Sequence, residues 1–472
     1  MDVLDSLKFF WPETWLLSGA FAVIFLDLVV KNKKWLGVLA LLTLTVSAAT
    51  ASRPQEIYPL FFGFFQLDTF TYFFRFAALG IVAITLLASL AYKPLSTAYE
   101  GEYYALFLFM TFGLILMASS TNLLMIFIAI EFVSILSYLL VGFLKKDTRS
   151  KEASIKYLLF GSVASGVMLY GMSLIFGATG SLDLAVIQSQ LADPQFHALT
   201  VVATILLLVG LGFKISMAPF HLWAPDVYEG APTSVTAFLT VGPKALGFAV
   251  IIRILFTALP TFINQWSPLI ALLSILTMTI GNFSAIAQHN IKRLLAYSSI
   301  AQAGYILMGI ASSTDIGASG VLIYLVAYAF TNLGAFIVVM ILSNQLESDD
   351  LSAYAGLSQR SPFLAASLTI FLLSLAGMPP FAGFIGKFFV FASVIEVGFF
   401  NLAIAAALNS AVAAFYYFKI VRLMYLVPAT SKEPISHPFP LSFALLLMLA
   451  GTFFMGLNPV PFISFVKQTL LI

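Results

Sequence analysis

Six ionisable side chains interrupt otherwise apolar stretches of this 472-residue sequence, and their types suit proton transfer. Lysine releases and takes up a proton readily when buried, whereas arginine stays charged. Histidine changes its charge near neutral pH. A charged side chain at the centre of a bilayer costs at least ~2.5 kcal/mol, so such residues mark an ion pathway by default. The six residues are Glu131, Lys156, Lys214, His221, Lys244 and Lys387.

Glu131 and Lys214 are the two residues that we expect to form an ion pair. Glu131 lies within an apolar run, with Ser134 on the same helical face, and Lys214 lies in the middle of a later run. A nearby carboxylate raises the proton affinity of a buried lysine, and a second lysine lowers it. We therefore expect the pair to hold a proton on Lys214 and to pass it towards Lys244 and Lys387 when the pairing weakens.

Prolines break two of the apolar stretches, one at residues 217–221 (MAPFH) and one at residues 377–383 (GMPPFAG). Proline removes a backbone donor and clashes with the carbonyl four residues back, so each break frees carbonyl oxygens that can bind water or a cation. Lys214 precedes the first break and Lys387 follows the second. This opposite order is typical of transporters built from two units of inverted orientation.

Several of these side chains have a second, structural interpretation. His221 could relay protons, but beside Trp223 it could instead be a packed, hydrogen-bonded residue. For Asp226 and Glu229, which follow the first break, we favour helix capping and hydration over proton relay. For Glu131 and the lysines, Lys156 included, the alternative is a static ion pair or a charged end that reaches the membrane surface.

The composition identifies the class of protein. The chain is 61% hydrophobic and 9% charged, with a mean hydropathy of +1.00, whereas soluble proteins are about 25% charged. Because a membrane span needs about 20 apolar residues, the chain predicts an all-α polytopic membrane protein with about fourteen transmembrane helices. The predicted helices lie near 12–30, 35–52, 69–92, 102–119, 121–143, 151–177, 198–240 with a break, 241–258, 266–288, 294–311, 318–343, 361–398 with a break, 401–427 and 441–465.

The broken helices are the seventh and twelfth of this series, which predicts two inverted five-helix repeats, helices 4–8 and 9–13. The corresponding domains are the N-terminal helices 1–3 in residues 1–100, the first repeat in 101–260, the second repeat in 261–430 and helix 14 in 431–472.

Lysine and arginine fall mostly in alternate predicted loops, which the positive-inside rule places in the cytoplasm. These loops contain residues 31–34, Lys93, residues 145–151, Lys292 with Arg293, Arg360, and Arg422 with Lys432. The opposite loops hold little more than Lys8, Arg53, Arg253 and Lys467. We therefore predict both termini on the outer side of the membrane, with no cleaved signal peptide.

The sequence has no cysteine, which excludes an iron–sulfur cluster and a disulfide, and its four histidines are scattered. It shows no phosphate-binding loop, zinc pattern or serine triad. We predict that the chain itself binds no cofactor or metal, and its net charge of +2 gives no indication of nucleic-acid binding.

Three stretches carry a resemblance to a known family: FKISMAPFHLWAPDVYEGAPTSVTAFLTVGPKA, IEFVSILSYLLVGF and GNFSAIAQHNIKRLLAYSSIAQAGY. They resemble subunit N of bacterial proton-pumping NADH–quinone oxidoreductase, respiratory complex I, and the similarity covers essentially the whole chain. Its most specific part is PFHLWAPDVYEGAPT followed by PK. The related subunits L and M and the Mrp-type cation/proton antiporters tend to carry a WLPDA-like run there.

The resemblance implies a proton path of two half-channels joined by a central hydrophilic axis. Its residues would be the helix-5 glutamate Glu131, the helix-6 lysine Lys156, the broken-helix lysine Lys214, the intervening polar residue His221, the bridging lysine Lys244 and the terminal lysine Lys387. This chain departs from some relatives at Ala301-Gln302-Ala303, where those relatives have histidine. We therefore assign no proton role to these residues. Tyr416 or Tyr417 would line the exit, and the sequence leaves the choice between them open.

The resemblance also implies the partners and the location. NADH, FMN, iron–sulfur clusters and quinone would bind in other subunits, while this chain moves protons beside other antiporter-like and small membrane subunits in the bacterial inner membrane. Ferredoxin could replace NADH as donor. Two other functions remain open: an Mrp-type cation/proton antiporter subunit, and a structural membrane subunit whose charges no longer act.

Overall fold

The computed structural model describes residues 1–95, 99–191, 194–346, 348–429 and 433–469, and these are mostly α-helical. Eleven helices of the described part are long and apolar enough to cross a membrane. They confirm the all-α polytopic membrane fold, while the number of about fourteen transmembrane helices stays a prediction. The helices are α1 Val3–Leu7, α2 Trp11–Asp27, α3 Lys34–Thr50, α4 Thr69–Ser89, α5 Glu100–Ser119, α6 Leu123–Val141, α7 Thr148–Thr179, α8 Leu184–Gln190, α9 His197–Ile215, α10 Ala224–Gly230, α11 Thr233–Arg253, α12 Ile263–Ile286, α13 Ile291–Ser312, α14 Asp315–Leu346, α15 Leu357–Arg360, α16 Pro362–Ala376, α17 Ala382–Glu396, α18 Phe400–Leu426, α19 Phe439–Leu457 and α20 Val460–Thr469.

A short antiparallel hairpin between α3 and α4 was not predicted from the sequence. Its strands are β1 Tyr58–Leu60 and β2 Phe65–Leu67, which pair Tyr58 with Leu67 and Leu60 with Phe65. A π-helical turn, Ile254–Ala258, continues α11. Residue 432, one of the predicted loop lysines, lies outside the described residues.

Both predicted helix breaks are present, and their backbones are alike. Ser216 caps the C-terminus of α9 and Gly377 caps that of α16, and both residues have left-handed backbone angles, with φ of 59° and 87°. Each break also contains a cis peptide bond before a proline, Pro219 or Pro380. Because the broken helices lie five spans apart, the second crosses the membrane in the opposite direction to the first.

The predicted boundary between the seventh and eighth helices was wrong. After the first break, α10 is only one short helix ending at Gly230, and Pro232 then caps the start of α11 at Thr233. The eighth helix was predicted to begin at 241, but Pro243 lies inside α11, as membrane helices tolerate. Lys244 is therefore in the middle of its helix, not near its beginning.

Three helices form the centre of the protein. α11 is buried along its whole length, and α13 and α14 nearly so, whereas α7, α18 and α19 expose most of their side chains. The buried polar residues of these three helices are thus held in the interior, where their partners must come from neighbouring helices.

Two buried arginine–carboxylate pairs fasten the first helices to the rest. Arg75 donates to Glu13 at 2.6 Å, and Arg253 donates to both carboxylate oxygens of Asp68 at 2.7 and 3.0 Å. Arg253 also donates to the carbonyl of Ala118. The prediction that Arg253 lies in an outer loop was therefore wrong, because its charge is neutralised inside the protein by a residue 185 positions away.

Changing Asp68 to asparagine should strongly destabilise the protein, because it leaves the buried Arg253 guanidinium without its counter-charge. Breaking one partner of a buried ion pair costs about 3–5 kcal/mol. The matched control is Asp5→Asn, which breaks the exposed Lys8–Asp5 pair and should cost about 0–1 kcal/mol.

Thermal unfolding of the purified protein in detergent measures both effects. The double variant Asp68→Leu with Arg253→Leu should recover much of the loss, since no unpaired charge remains. Equal unfolding midpoints for Asp68→Asn and Asp5→Asn would contradict this account.

Candidate proton-translocation site

The first part of the site lies between α6, α7 and α9. The Nζ atom of Lys214, whose side chain is only 2% exposed, donates to Oγ of Ser134 at 3.0 Å. The Glu131 carboxylate accepts a hydrogen bond from Ser165. No ion pair within 4.0 Å joins Glu131 to Lys214, so the expected direct pairing is not present in this structure. The reason is that each charged group has its own hydroxyl partner.

Glu131 and Lys214 are nevertheless close enough to interact electrostatically. Ser134 lies one turn after Glu131 on α6, so the ammonium bound to Ser134 faces the same side of the helix as the carboxylate. A rotation of the glutamate away from Ser165 is the simplest movement that would form the ion pair.

Lys244 forms the centre of the site. Its side chain is 3% exposed, and Nζ donates to both the carbonyl oxygen and Oγ of Ser299, at 3.1 and 2.7 Å. It also lies 5.8 Å from the centre of the Tyr228 ring. His221 is also buried, and the charge of Lys244 affects it electrostatically.

Polar atoms without a protein partner gather around this centre. Among the described residues they include Nδ1 of His221, the hydroxyls of Ser216 and Tyr328, and Oδ1 of Asn332. The Asn332 amide nitrogen donates to Thr240, one turn before Lys244, at 2.7 Å. Buried polar groups are normally hydrogen-bonded, so these atoms can bind water or rearrange during proton transfer.

Lys387 forms the last part of the site, at the second helix break. Its Nζ donates to the carbonyl of Ala376 at 2.9 Å and to Oγ of Ser410 at 3.2 Å, and it lies 4.4 Å from the centre of the Tyr305 ring. The Ala376 carbonyl ends α16, so the break does free an oxygen that binds a cation. The Gly377 backbone passes so close that a Cβ atom there would lie 2.6 Å from Cδ of Lys387.

A hydrogen-bonded network on α13 lies along the helix between Ser299, which binds Lys244, and Tyr305, whose ring lies beside Lys387. The Ser298 and Tyr417 hydroxyls are 2.6 Å apart, and Gln302 donates to Tyr417 at 3.3 Å. Tyr324 donates to Oε1 of Gln302 at 2.5 Å. Gln302 thus occupies the middle of the site, although the sequence analysis gave it no role. The polar spacing of 298, 299, 302 and 305 on one helix was the signal that could have identified it.

Both tyrosines near the end of α18 belong to this network. Tyr417 contacts Ser298 and Gln302, whereas Tyr416 donates to Asn282 at 3.0 Å. Asn282 in turn donates to the Tyr305 hydroxyl at 3.1 Å. Both tyrosines are buried and hydrogen-bonded, so the prediction that one of them lines the exit stays a prediction for either residue.

Lys156 is not buried with Lys214, Lys244 and Lys387, so the expectation that it lies inside the membrane region with them was wrong. Its side chain is 40% exposed and forms ion pairs with Glu152 at 2.9 Å and Asp226 at 2.8 Å. Lys156 comes early in α7, and α10 packs beside it, so the acidic residue that follows the first break reaches it directly.

Asp226 and Glu229 are ion-paired rather than capping residues. Both accept from Nη1 of Arg293, at 2.7 and 2.8 Å. With Lys156 they form a charged cluster beside a polar cavity of about 290 Å³. Arg293 and Lys292, predicted to lie in a loop, are in the first turn of α13. Lys292 is buried and donates to the carbonyl of Ala231 at 3.1 Å.

Comparison with known proteins identifies close relatives. The family described as "NADH:quinone oxidoreductase/Mrp antiporter, TM" matches residues 120–413. NADH-quinone oxidoreductase subunit N of Trichlorobacter lovleyi is 43% identical over 406 residues, which cover 85% of this chain and 83% of that protein. A chain of respiratory complex I from Thermus thermophilus with bound aureothin is 32% identical, with a TM-score of 0.81 and coverage of 96% and 98%. A chain of the Mrp complex from Dietzia sp. DQ12-45-1b has a TM-score of 0.82 at 20% identity, with coverage of 99% and 97%, and shares the fold.

Proposed function

The chain belongs to the family of NADH-quinone oxidoreductase subunit N, and from this we propose that it carries protons across the membrane along Glu131, Lys214, Lys244 and Lys387. Oxidation of NADH and reduction of quinone drive this movement from other subunits, which hold NADH, FMN, iron–sulfur clusters and quinone. This chain contributes the membrane path and no redox chemistry.

The proposal rests on the hydrogen-bond partners of the three buried lysines. Lys214, Lys244 and Lys387 each donate to hydroxyl or carbonyl oxygens, and none forms an ion pair with a carboxylate within 4.0 Å. A buried charge without a counter-charge is very unfavourable. A buried lysine can remove that cost by releasing its proton, which a permanent ion pair would prevent.

Glu131 controls the first lysine in this proposal. While its carboxylate is bound to Ser165, Lys214 has only the Ser134 hydroxyl and gives up its proton easily. When the carboxylate turns to Lys214, the proton is held there. Redox-driven changes in neighbouring subunits act by shifting Glu131 between these two partners.

His221 and the α13 network connect the lysines. His221 lies between the first break and Lys244, with an unpaired ring nitrogen. From Ser299, which binds Lys244, the polar side chains of α13 continue to the Tyr305 ring over Lys387. We assign Lys156 and Asp226 to proton uptake at the surface, since their cavity is polar and exposed.

The location and partners follow from the same family membership. The chain is a multi-span membrane protein, and we propose that it lies in the bacterial inner membrane with both termini on the periplasmic side. Its partners are other membrane subunits of the complex. The domains proposed are residues 1–100, 101–260, 261–430 and 431–472, as the sequence predicts.

Lys244→Met in the assembled complex tests the path at its centre. NADH oxidation by quinone should drive at least ~10-fold less proton uptake into sealed vesicles, since each factor of ten corresponds to ~1.4 kcal/mol in the barrier. The exposed Lys146 supplies the matched control, Lys146→Met, which should pump like the unmodified protein. A dye that reports vesicle pH measures uptake, and assembly is checked on native gels.

Normal pumping by assembled Lys244→Met would exclude Lys244 from the path. An Mrp-type antiporter subunit is the other candidate, and it shares the fold. It predicts sodium–proton or potassium–proton exchange by the chain in vesicles without NADH. We expect no such exchange.

A further inference from the structure

An apolar cavity of about 410 Å³ lies beside α11, next to the residue that follows Lys244. α4, α11, α14, α19 and α20 line it, and its walls include Phe73, Phe330 and Phe465. The cavity opens to the lipid-facing surface, where Phe76 and Leu447 are exposed. It also reaches Ala245, which directly follows Lys244.

The length of the cavity matches the thickness of one leaflet of a bilayer. Along α4 it extends from Phe73 to Ile84, which at 1.5 Å per residue is about 16 Å. One leaflet of a ~30 Å hydrocarbon core is about 15 Å thick. Gly80, midway along α4, lines the cavity at a depth where the surroundings are hydrocarbon.

The end of the cavity near Phe73 is close to positive charge. Phe465 of α20 lines this end, and Lys467 follows it as an exposed residue. Arg53 donates to Gln468 of the same helix at 2.8 Å. The carboxylate of Asp68, next to the start of α4, is already bound by Arg253. Two cations near an apolar cavity are complementary to a phosphate joined to an acyl chain.

We propose that one acyl chain of an anionic phospholipid from the surrounding bilayer fills this cavity, with the lipid phosphate at Arg53 and Lys467. The acyl chain excludes water from the cavity beside Ala245, so that a proton on the neighbouring Lys244 can move only along the polar side chains. The lipid site rests on the cavity and its charges and does not depend on the proton path being correct.

Gly80 permits a sharp test, because a Cβ atom added there meets no atom within 4 Å. Gly80→Phe should fill the cavity without a clash and without weakening α4, since glycine is a poor helix former. Gly166→Phe is the matched control: Gly166 is also open and exposed within a long membrane helix, α7, but does not line the cavity.

The probe is phosphatidylglycerol with a photoactivatable diazirine in the middle of one acyl chain, added to phosphatidylcholine vesicles that contain the assembled complex. After illumination, mass spectrometry should find labelled α4 and α19 peptides. Gly80→Phe should lower this labelling about tenfold, as expected for a blocked site, and Gly166→Phe should not change it.

The phosphate contacts are tested with Arg53→Gln combined with Lys467→Gln. This variant should reduce labelling by the phosphatidylglycerol probe to the level given by a phosphatidylcholine probe with the same diazirine. Equal labelling of Gly80→Phe and Gly166→Phe would overturn the lipid site. Absence of label from α4 and α19 in the unmodified complex would also overturn it, and would indicate that a neighbouring subunit covers the cavity.

Discussion

Lys214→Met should abolish most proton pumping by the assembled complex while leaving the fold intact. Methionine has nearly the same length as the lysine side chain and suits the buried position, where only 2% of Lys214 is exposed. It cannot carry a proton or donate to Ser134. We expect at least a ~10-fold loss of proton uptake per electron transferred, equivalent to ~1.4 kcal/mol or more in the barrier.

The measurement is NADH-driven acidification of sealed vesicles, with electron transfer and assembly followed in parallel. Glu131→Gln should also lower pumping, because an amide cannot hold the Lys214 proton by charge. If Lys214→Met and Glu131→Gln both pumped at the normal rate in assembled complexes, the buried charges would be structural and the proposed path would be wrong.

Gly377→Ala should impair pumping by moving Lys387, a residue ten positions away in the sequence. Gly377 has a φ of 87°, which costs about 1–2 kcal/mol for a residue with a Cβ atom. The added Cβ would also lie 2.6 Å from Cδ of Lys387. The flexible lysine side chain must give way, which takes Nζ from the Ala376 carbonyl. We expect a lower unfolding midpoint and a pumping loss of about tenfold.

Gly398→Ala separates the effect of backbone strain from the effect of contact with Lys387. Gly398 has a similar φ of 78°, but the nearest atom to an added Cβ is 4.0 Å away. This control should show the backbone strain in thermal unfolding and keep normal pumping. Equal pumping by the Gly377→Ala and Gly398→Ala complexes would show that the exact position of Lys387 is unimportant.

The all-α fold and both helix breaks could be predicted because their causes are local. Apolar runs long enough to span a bilayer form helices there, and a proline in the helix interior removes a backbone donor and favours a break. The predicted start of α11, at 241, was wrong, since the helix begins at Thr233. Pro232 follows the short α10 and begins the helix, while Pro243 is accommodated inside it.

The burial of each charge was harder to predict. Lys156 and Lys244 both lie near the start of a predicted helix, yet the first is 40% exposed and the second 3% exposed. The difference comes from their helices, since α7 lies at the edge of the bundle and α11 at its centre. Arg253 was wrongly predicted to lie in a loop for the same reason, since it belongs to the central helix α11.

The membrane class, the two broken helices and the residue types capable of proton transfer can be read from the amino-acid sequence alone, since they depend on composition and local backbone chemistry. Which groups bind one another depends on how the helices pack. Ser165 lies 34 positions from Glu131, Ser134 lies 80 from Lys214, and Ser299 lies 55 from Lys244. Such contacts form only when distant helices pack, and a hydrogen bond requires its two atoms to lie within about 3 Å of each other.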